Sequence, residues 1–362
     1  MEHSRRNRNH LPATAILVLA AIAGIVILWG CGGRSESATL KNAVYGSPDA
    51  KLDMKKPTSQ KLFDGLPLSI APEVKPLVNA KEHDVRIDVT HEQVQVTEGV
   101  SFTAWTFGGK LPGPIIHVKQ GDLIHFTMTN RSDQSVEFSP PSPHSIDFHA
   151  AMVNPKDKYQ EVIPGASITF DWTPNYPGVY MYHCGSPAIL QHMICGMIGM
   201  TIVEPKEGYP TEVDREYALI QNEYYLKKLP NGTYVTDMES ARHKDPMYVT
   251  FNGVPRQYVQ HPLEVKAGER VRLYVLNAGP NGTSSFHVVG TIFDKVWLDG
   301  NPQNEMHGMQ TVLLGAACGA IVEFVVPEAG TYPFVDHEFA DVELGAVGLL
   351  EAKSADGALA SK

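Results

Sequence analysis

The segment Gly178-Val179-Tyr180-Met181-Tyr182-His183-Cys184 sets a histidine beside a cysteine at the end of an alternating run rich in aromatic and β-branched residues. That pattern reads as a strand. Successive strand side chains point to opposite faces. If His183 and Cys184 both bind metal, they serve two different ions, one on each side of the strand, and a single peptide joins the two sites.

The same logic applies upstream in Pro143-His144-Ser145-Ile146-Asp147-Phe148-His149-Ala150. His144 and His149 are an odd number of residues apart, so in an extended segment they face opposite ways, and Asp147 shares the face of His149. One set of donors then joins His144 with Cys184. The other joins His149 with His183, with Asp147 beside it. Downstream, His192 and Met197 complete the first set as two imidazoles, a thiolate and a thioether. This is the donor set of electron-transfer copper, with Met as the weak axial ligand. Soft sulfur donors disfavour magnesium or calcium, and the Met argues for copper over zinc. Met193 and Met200 are the neighbouring alternatives for the axial position. A lone His or Met in a β-protein is ordinarily structural, and it is the crowding of six candidate ligands between His144 and Met197 that overturns the bland reading.

At these residues the chain resembles the copper-containing nitrite reductases, in particular those with a shortened type 1 copper loop and a lipid anchor. The resemblance runs from about residue 80 to 352. It takes in Ser284-Ser285-Phe286-His287-Val288-Val289-Gly290, similar to the family's active-site histidine segment, and Thr331-Tyr332-Pro333-Phe334-Val335-Asp336-His337, similar to the segment carrying its third type 2 ligand. The resemblance implies that His144, Cys184, His192 and Met197 hold a type 1 copper, and that His149, His183 and His337 hold a type 2 copper. It further implies that Asp147 and His287 flank nitrite, that Thr311 hydrogen-bonds the catalytic histidine, and that the subunits form a homotrimer with His337 reaching a neighbour's site. Three departures stand out. Val289 is one methylene smaller than the family's usual Ile above the type 2 copper, Ser145 replaces a usual Asn, and Ala151–Tyr159 differs from the corresponding small-residue segment.

At 362 residues the chain is long enough for two domains with substantial cores. Short runs of Val, Thr, Ile and aromatics between turn residues favour an all-β fold. Two weakly echoing halves, each with a Gly turn before an aromatic strand ending in His (Gly178 to His183, Gly330 to His337), fit tandem cupredoxin-like Greek-key β-sandwiches. The Pro- and Gly-containing stretch Glu204–Pro210 breaks any continuous strand. The reading is therefore a signal and anchor over 1–31, a flexible tether over 32–78, a first domain over 79–205, a second over 206–353, and a disordered tail over 354–362. Cys318 has no His beside it, so no second type 1 site is expected. A Cys195–Cys318 disulfide stays open.

At the N-terminus, Arg5, Arg6 and Arg8 precede an apolar run ending Leu28-Trp29-Gly30-Cys31. A basic start, an apolar core and a small residue before Cys resemble a bacterial lipoprotein signal with Cys31 as the lipidated residue, and an uncleaved anchor is the alternative. Either way the globular body lies outside the cytoplasm, tethered to a membrane. The formal charge of −10 argues against a nucleic-acid partner.

The mechanism implied is a one-electron, two-proton reduction of nitrite to nitric oxide and water. An external donor (a cupredoxin or a c-type cytochrome) feeds the type 1 copper, the Cys184–His183 peptide carries the electron, and Asp147 and His287 supply protons. A non-catalytic electron carrier would leave His149, His183, His287 and His337 unexplained. A multicopper oxidase of laccase type needs paired His-x-His segments, and the sequence has none.

Overall fold

In the computed structural model, which describes residues 74–133 and 139–354, the regular structure is mostly strand, with a few short helices. Cys31, the proposed anchor, most of the 32–78 tether and all but the first residue of the tail lie outside the described residues. The first half runs through β1 (Glu82–Thr97), β2 (Val100–Phe107), β3 (Ile116–Lys119), β4 (Leu123–Asn130), β5 (Asp147–Phe148), β6 (Ser167–Trp172), β7 (Gly178–His183) and β8 (Ile198–Glu204). These form two sheets in the orders β2-β1-β4-β6 and β3-β8-β7-β5. The second half runs through β9 (Arg215–Tyr224), β10 (Leu226–Lys228), β11 (Tyr234–Thr236), β12 (Tyr248–Phe251), β13 (Leu263–Lys266), β14 (Arg270–Gly279) and β15 (Ser284–Val288). It continues through β16 (Lys295–Leu298), β17 (Glu305–Met306), β18 (Thr311–Leu314), β19 (Gly319–Val325), β20 (Gly330–Asp336) and β21 (Val347–Lys353). Its two large sheets have the orders β12-β9-β14-β19-β16-β17 and β13-β21-β20-β15-β18, and β10 and β11 form a separate hairpin.

The halves repeat one topology, that of tandem cupredoxin-like Greek-key sandwiches. In the first half β1 runs parallel to β4 and β3 parallel to β8; in the second, β9 runs parallel to β14 and β13 to β21. The repeat reaches individual side chains. Tyr182 of β7 stands opposite Gly199 of β8, and Phe334 of β20 stands opposite Gly348 of β21. In both pairs the aromatic ring lies over the glycine, where a Cβ would overlap it. Tyr182 cannot swing away, because its hydroxyl donates to the Pro114 carbonyl at 2.6 Å. Gly199→Ala is therefore expected to cost about 1–3 kcal/mol by overpacking, read as a lower denaturation midpoint with an unchanged slope. A midpoint equal to wild type would show that the ring has room to move.

Each sandwich buries its own core, and a third cluster joins the two. Val179, Met181, Ile198, Met200 and Ile202 of β7 and β8 pack against Ala218, Ile220, Tyr274, Leu276, Trp297 and Ile321 of the second half. The Val179 N–H also donates to the Asp299 carbonyl at 2.7 Å. β7 thus has two covered faces. Val179 and Met181 meet the second sandwich, while Tyr180, Tyr182 and Cys184 belong to the core of the first. This explains why its sequence is apolar on both faces.

Candidate metal centres

One cluster of metal-binding atoms forms where β7 ends. Cys184 follows β7 directly, His192 lies on the short helix Ile189–Ile194, and His144 precedes β5. The expected extended run from His144 to His149 is not one strand: β5 covers Asp147 and Phe148, and the His149 N–H adds one bond to the Met181 carbonyl of β7 at 3.0 Å. His144 instead reaches its place through a two-way backbone bridge to Val162, at 3.1 and 2.7 Å. His144 Nδ1 lies 3.2 Å from His192 Nδ1, and Cys184 Sγ lies 3.2 Å from His192 Nδ1 and 4.0 Å from His144 Nδ1. Three such donors bound to one first-row metal ion, at bond lengths of about 2.0–2.3 Å, stand roughly 3.3–3.7 Å apart. The geometry fits an ion, and a buried donor set with a thiolate and no carboxylate fits copper.

Met197 lies in the same core as Cys184, and its carbonyl accepts the Cys184 N–H at 3.2 Å. Met193 and Met200 pack instead in the cluster between the sandwiches. Burial is the main influence on the imidazoles. It holds His144 down to about 2, with His192 and His91 adding to the effect, and it lowers His192 as well. Both rings are neutral and able to act as ligands. Burial pushes the Cys184 thiol up, opposed by the backbone amides of Ser145 and Ser186. The Ser145 N–H donates to Cys184 Sγ at 3.3 Å, and the Ser145 hydroxyl accepts the Gly185 N–H at 3.0 Å. The backbone thus makes the shorter contact to sulfur, with the Ser145 hydroxyl at 4.0 Å, and the short Ser145 side chain ties the two ligand loops together.

On the other face of β7, Asp147, His149 and His183 form a second cluster, with His149 exposed. His183 Nε2 is 3.2 Å from His149 Nε2 and 3.8 Å from Asp147 Oδ2. His183 Nδ1–H donates to the Cys184 carbonyl at 2.9 Å. That bond fixes the tautomer, leaving the Nε2 lone pair turned toward His149, as a ligating imidazole requires. Burial, then the nearby His183, lowers His149. Two imidazoles and a carboxylate also fit a metal ion, but the set is open on its solvent side.

His287 and His337 form a third group within the chain. Their rings lie 5.6 Å apart, and the His337 ring meets Phe339 edge-on at 4.8 Å. His337 is exposed and does not join the Asp147, His149 and His183 cluster of its own chain. Val289, Leu313 and Phe339 are exposed apolar side chains of the same half. Thr311 stands directly opposite His287 in the β15–β18 pairing. The expected bond from Thr311 to the histidine is replaced by one to its neighbour, for His287 Nδ1–H donates to the Gln310 carbonyl. The backbone oxygen one residue earlier takes the ring proton.

Cys195 and Cys318 are both free, Cys195 buried and Cys318 exposed, so no disulfide joins them. Cys195 sits instead against Gln191 Nε2 at 3.1 Å and Thr236 Oγ1 at 3.8 Å. The sequence reading missed His91, whose Nε2 lies 2.9 Å from His144 Nε2. Its signal was available: Ile87, Val89 and His91 occupy the same buried face of β1, so a titratable residue continues a core stripe of period two.

Three comparisons bear on these centres. The family described as multicopper oxidase matches residues 88–208. A copper-containing nitrite reductase of Neisseria gonorrhoeae is 36% identical over 352 residues, covering 93% of this chain and 87% of that protein. One from Neisseria meningitidis serogroup A is 39% identical over 296 residues, covering 79% and 74%. The solved copper nitrite reductase of Nitrosomonas europaea superposes with a TM-score of 0.69 at 35% identity, over 75% of this chain and 94% of that one.

Proposed function

The chain belongs to the copper-containing nitrite reductases, and from that premise we propose how its residues divide the reduction of nitrite to nitric oxide and water. The observation that carries the reading is the pair of donor clusters on opposite faces of β7, supplied by the adjacent residues His183 and Cys184. When bound, copper in the buried cluster exchanges one electron with an external donor, and copper in the exposed cluster binds and reduces nitrite.

The chain's own residues supply the rest. His144, Cys184, His192 and Met197 hold the first ion in a buried, carboxylate-free pocket. His149 and His183 hold the second, and the set is completed by His337 of the partner subunit in a homotrimer. Support for that assembly is that both half-sites, His149 on one sandwich and His337 on the other, are exposed within a single chain. The peptide between Cys184 and His183 is the shortest covalent path between the donor sets. The bond from His183 Nδ1 to the Cys184 carbonyl keeps that path rigid.

Nitrite takes up two protons and one electron to give nitric oxide and water. Asp147 Oδ2 lies close enough to the His183 ring to reach an oxygen bound beside it. His287 of the partner subunit, beside the partner subunit's His337, commits its Nδ1–H to Gln310 and presents Nε2 as the atom that holds and releases the second proton. Val289, with 41% of its surface exposed, caps the site less fully than an Ile would. The body is held outside the cytoplasm by lipid on Cys31, and a cupredoxin or c-type cytochrome docks to deliver the electron.

The test is an anaerobic assay of the copper-loaded soluble body with nitrite and an artificial reductant. Nitric oxide should appear in step with nitrite loss, and nitrite should reoxidise the reduced chromophore. A chromophore that is reduced but never reoxidised would favour a carrier. Asp147→Asn is expected to lower kcat by about 10²–10⁴-fold, the usual contribution of a positioned proton donor, without altering the visible band. Unchanged kcat would remove Asp147 from the proton route.

A further inference from the structure

Behind the buried cluster lies a second row of rings. His91, on β1, is 8% exposed. Its Nε2 is 2.9 Å from His144 Nε2 and its Nδ1 is 2.8 Å from Ser139 Oγ. Trp105 Nε1 lies 2.5 Å from the same hydroxyl oxygen. The Trp105 ring stacks on His91 at 5.2 Å and 15° between planes, and it meets the rings of His144 and His192 edge-on at 5.1 and 4.7 Å.

The protons in this row have one consistent arrangement. His144 turns Nδ1 toward Cys184 and His192, so as a ligand it carries its proton on Nε2. That proton must be donated to His91 Nε2, which is then a bare acceptor. The His91 proton is left on Nδ1, directed at Ser139. Indole N–H only donates, so Ser139 Oγ accepts from Trp105 as well. Only a neutral His91 in the Nδ1–H form satisfies both ends.

The geometry points to His91 as a positioning residue for the electron-entry site. It accepts the His144 Nε2 proton, fixes the orientation of that ring and increases its basicity, and it is itself locked by Ser139 and Trp105. This inference rests on His144 being a ligand of the first copper. A partner of this kind on the far nitrogen of a ligating imidazole makes the ligand a stronger donor, which favours the oxidised over the reduced ion and lowers the reduction potential. A packing role alone would be served by an apolar residue, because nothing about the volume of the site calls for an acceptor at Nε2.

The test compares copper-loaded wild type with His91→Leu, His91→Gln and Ser139→Ala. It reads the potential by redox titration of the visible band and Cu(II) retention by chelator competition. His91→Leu removes the acceptor. It should raise the potential and weaken Cu(II) retention by roughly 10–100-fold, the usual cost of losing such a partner. His91→Gln keeps an oxygen acceptor near the Nε2 position and should return both values toward wild type. Ser139→Ala frees the His91 ring and should shift the potential upward by less.

If folded His91→Leu keeps the wild-type potential and affinity, or if Gln and Leu shift them equally, the assignment fails. Should His91→Leu not fold, the Ser139→Ala potential decides, and no shift there overturns the proposal. His144→Gly separates the premise from the inference. A visible band that survives loss of His144 would sink the ligand assignment itself, whatever His91 does.

Discussion

Replacing His337 by Ala will abolish nitrite turnover, by well over the roughly 100-fold that losing a mere supporting partner costs, while the visible chromophore and the fold persist. His337 is exposed, and its ring stands beside those of His287 and Phe339. Its one backbone tie, the N–H to the Ser285 carbonyl at 2.8 Å, survives truncation to Ala. Surface changes of this kind move stability by about 0.5 kcal/mol or less. The buried cluster of His144, Cys184 and His192 shares no atom with it, so the colour should stay. Copper content should fall from two ions per chain to one. Loss of the chromophore instead would mean that His337 serves the buried site.

The same variant addresses the subunit arrangement. Coexpressed with a His149→Ala chain, a His337→Ala chain forms mixed trimers in which intact His149 faces intact His337 at about a quarter of the interfaces, by random assortment around a closed ring. Activity should therefore reappear when two dead chains are mixed. If it does not, His149 and His337 act within one chain and the interface site is wrong.

How much of this was legible in the sequence differs from residue to residue. The opposite facing of His183 and Cys184 was, because the two-residue period of a strand is a local property and β7 is regular through His183. The parity argument for His144 and His149 reached the right partners by a wrong route. The strand there is two residues long, and His144 is set by its bridge to Val162, a contact no local pattern encodes. The internal repeat was visible as two glycine-aromatic strands, and the structure gives it chemical content. Ser145 N–H donates to Cys184 Sγ, and the matching Ser285 N–H donates to Asp336 Oδ1 at 2.9 Å. The second sandwich thus keeps the frame of the copper site with a carboxylate in place of the thiolate, and with Ser284 where His144 stands. This is why one half carries the soft donor set and the other does not.

Other features escaped the sequence because they depend on distant packing. His91 meets His144 across 53 residues of chain. By contrast, Met197 was preferred over Met193 and Met200 from the ligand loop alone, and it lies in the core with Cys184 while the other two pack between the sandwiches. His287 Nδ1–H donates to the Gln310 carbonyl beside its strand partner Thr311, a contact set by the β15–β18 register.

Cys184→Ser is expected to give the mirror image of the His337 variant: no chromophore, donor-driven turnover reduced by at least about 100-fold, and a second copper site still able to bind nitrite. The substitution is nearly isosteric. The serine oxygen can take the Ser145 N–H now given to sulfur, and Cys184 is buried with no solvent to admit. Any loss therefore reports on donor chemistry rather than on folding. A hydroxyl is a hard, weakly acidic donor, and two imidazoles with a hydroxyl lose the soft thiolate on which an electron-transfer copper depends. His183, on the opposite face of β7, keeps its Nδ1 bond to the carbonyl of residue 184, because that bond is made by the backbone.

A small reductant that reaches the exposed cluster directly should consequently restore part of the nitrite reduction in Cys184→Ser, whereas a protein donor should not. Equal loss with both reductants would mean that the second site collapses with the first. Full turnover with the protein donor would mean that electrons enter by another route, and the peptide between His183 and Cys184 would then be a scaffold for two sites without being the conductor between them.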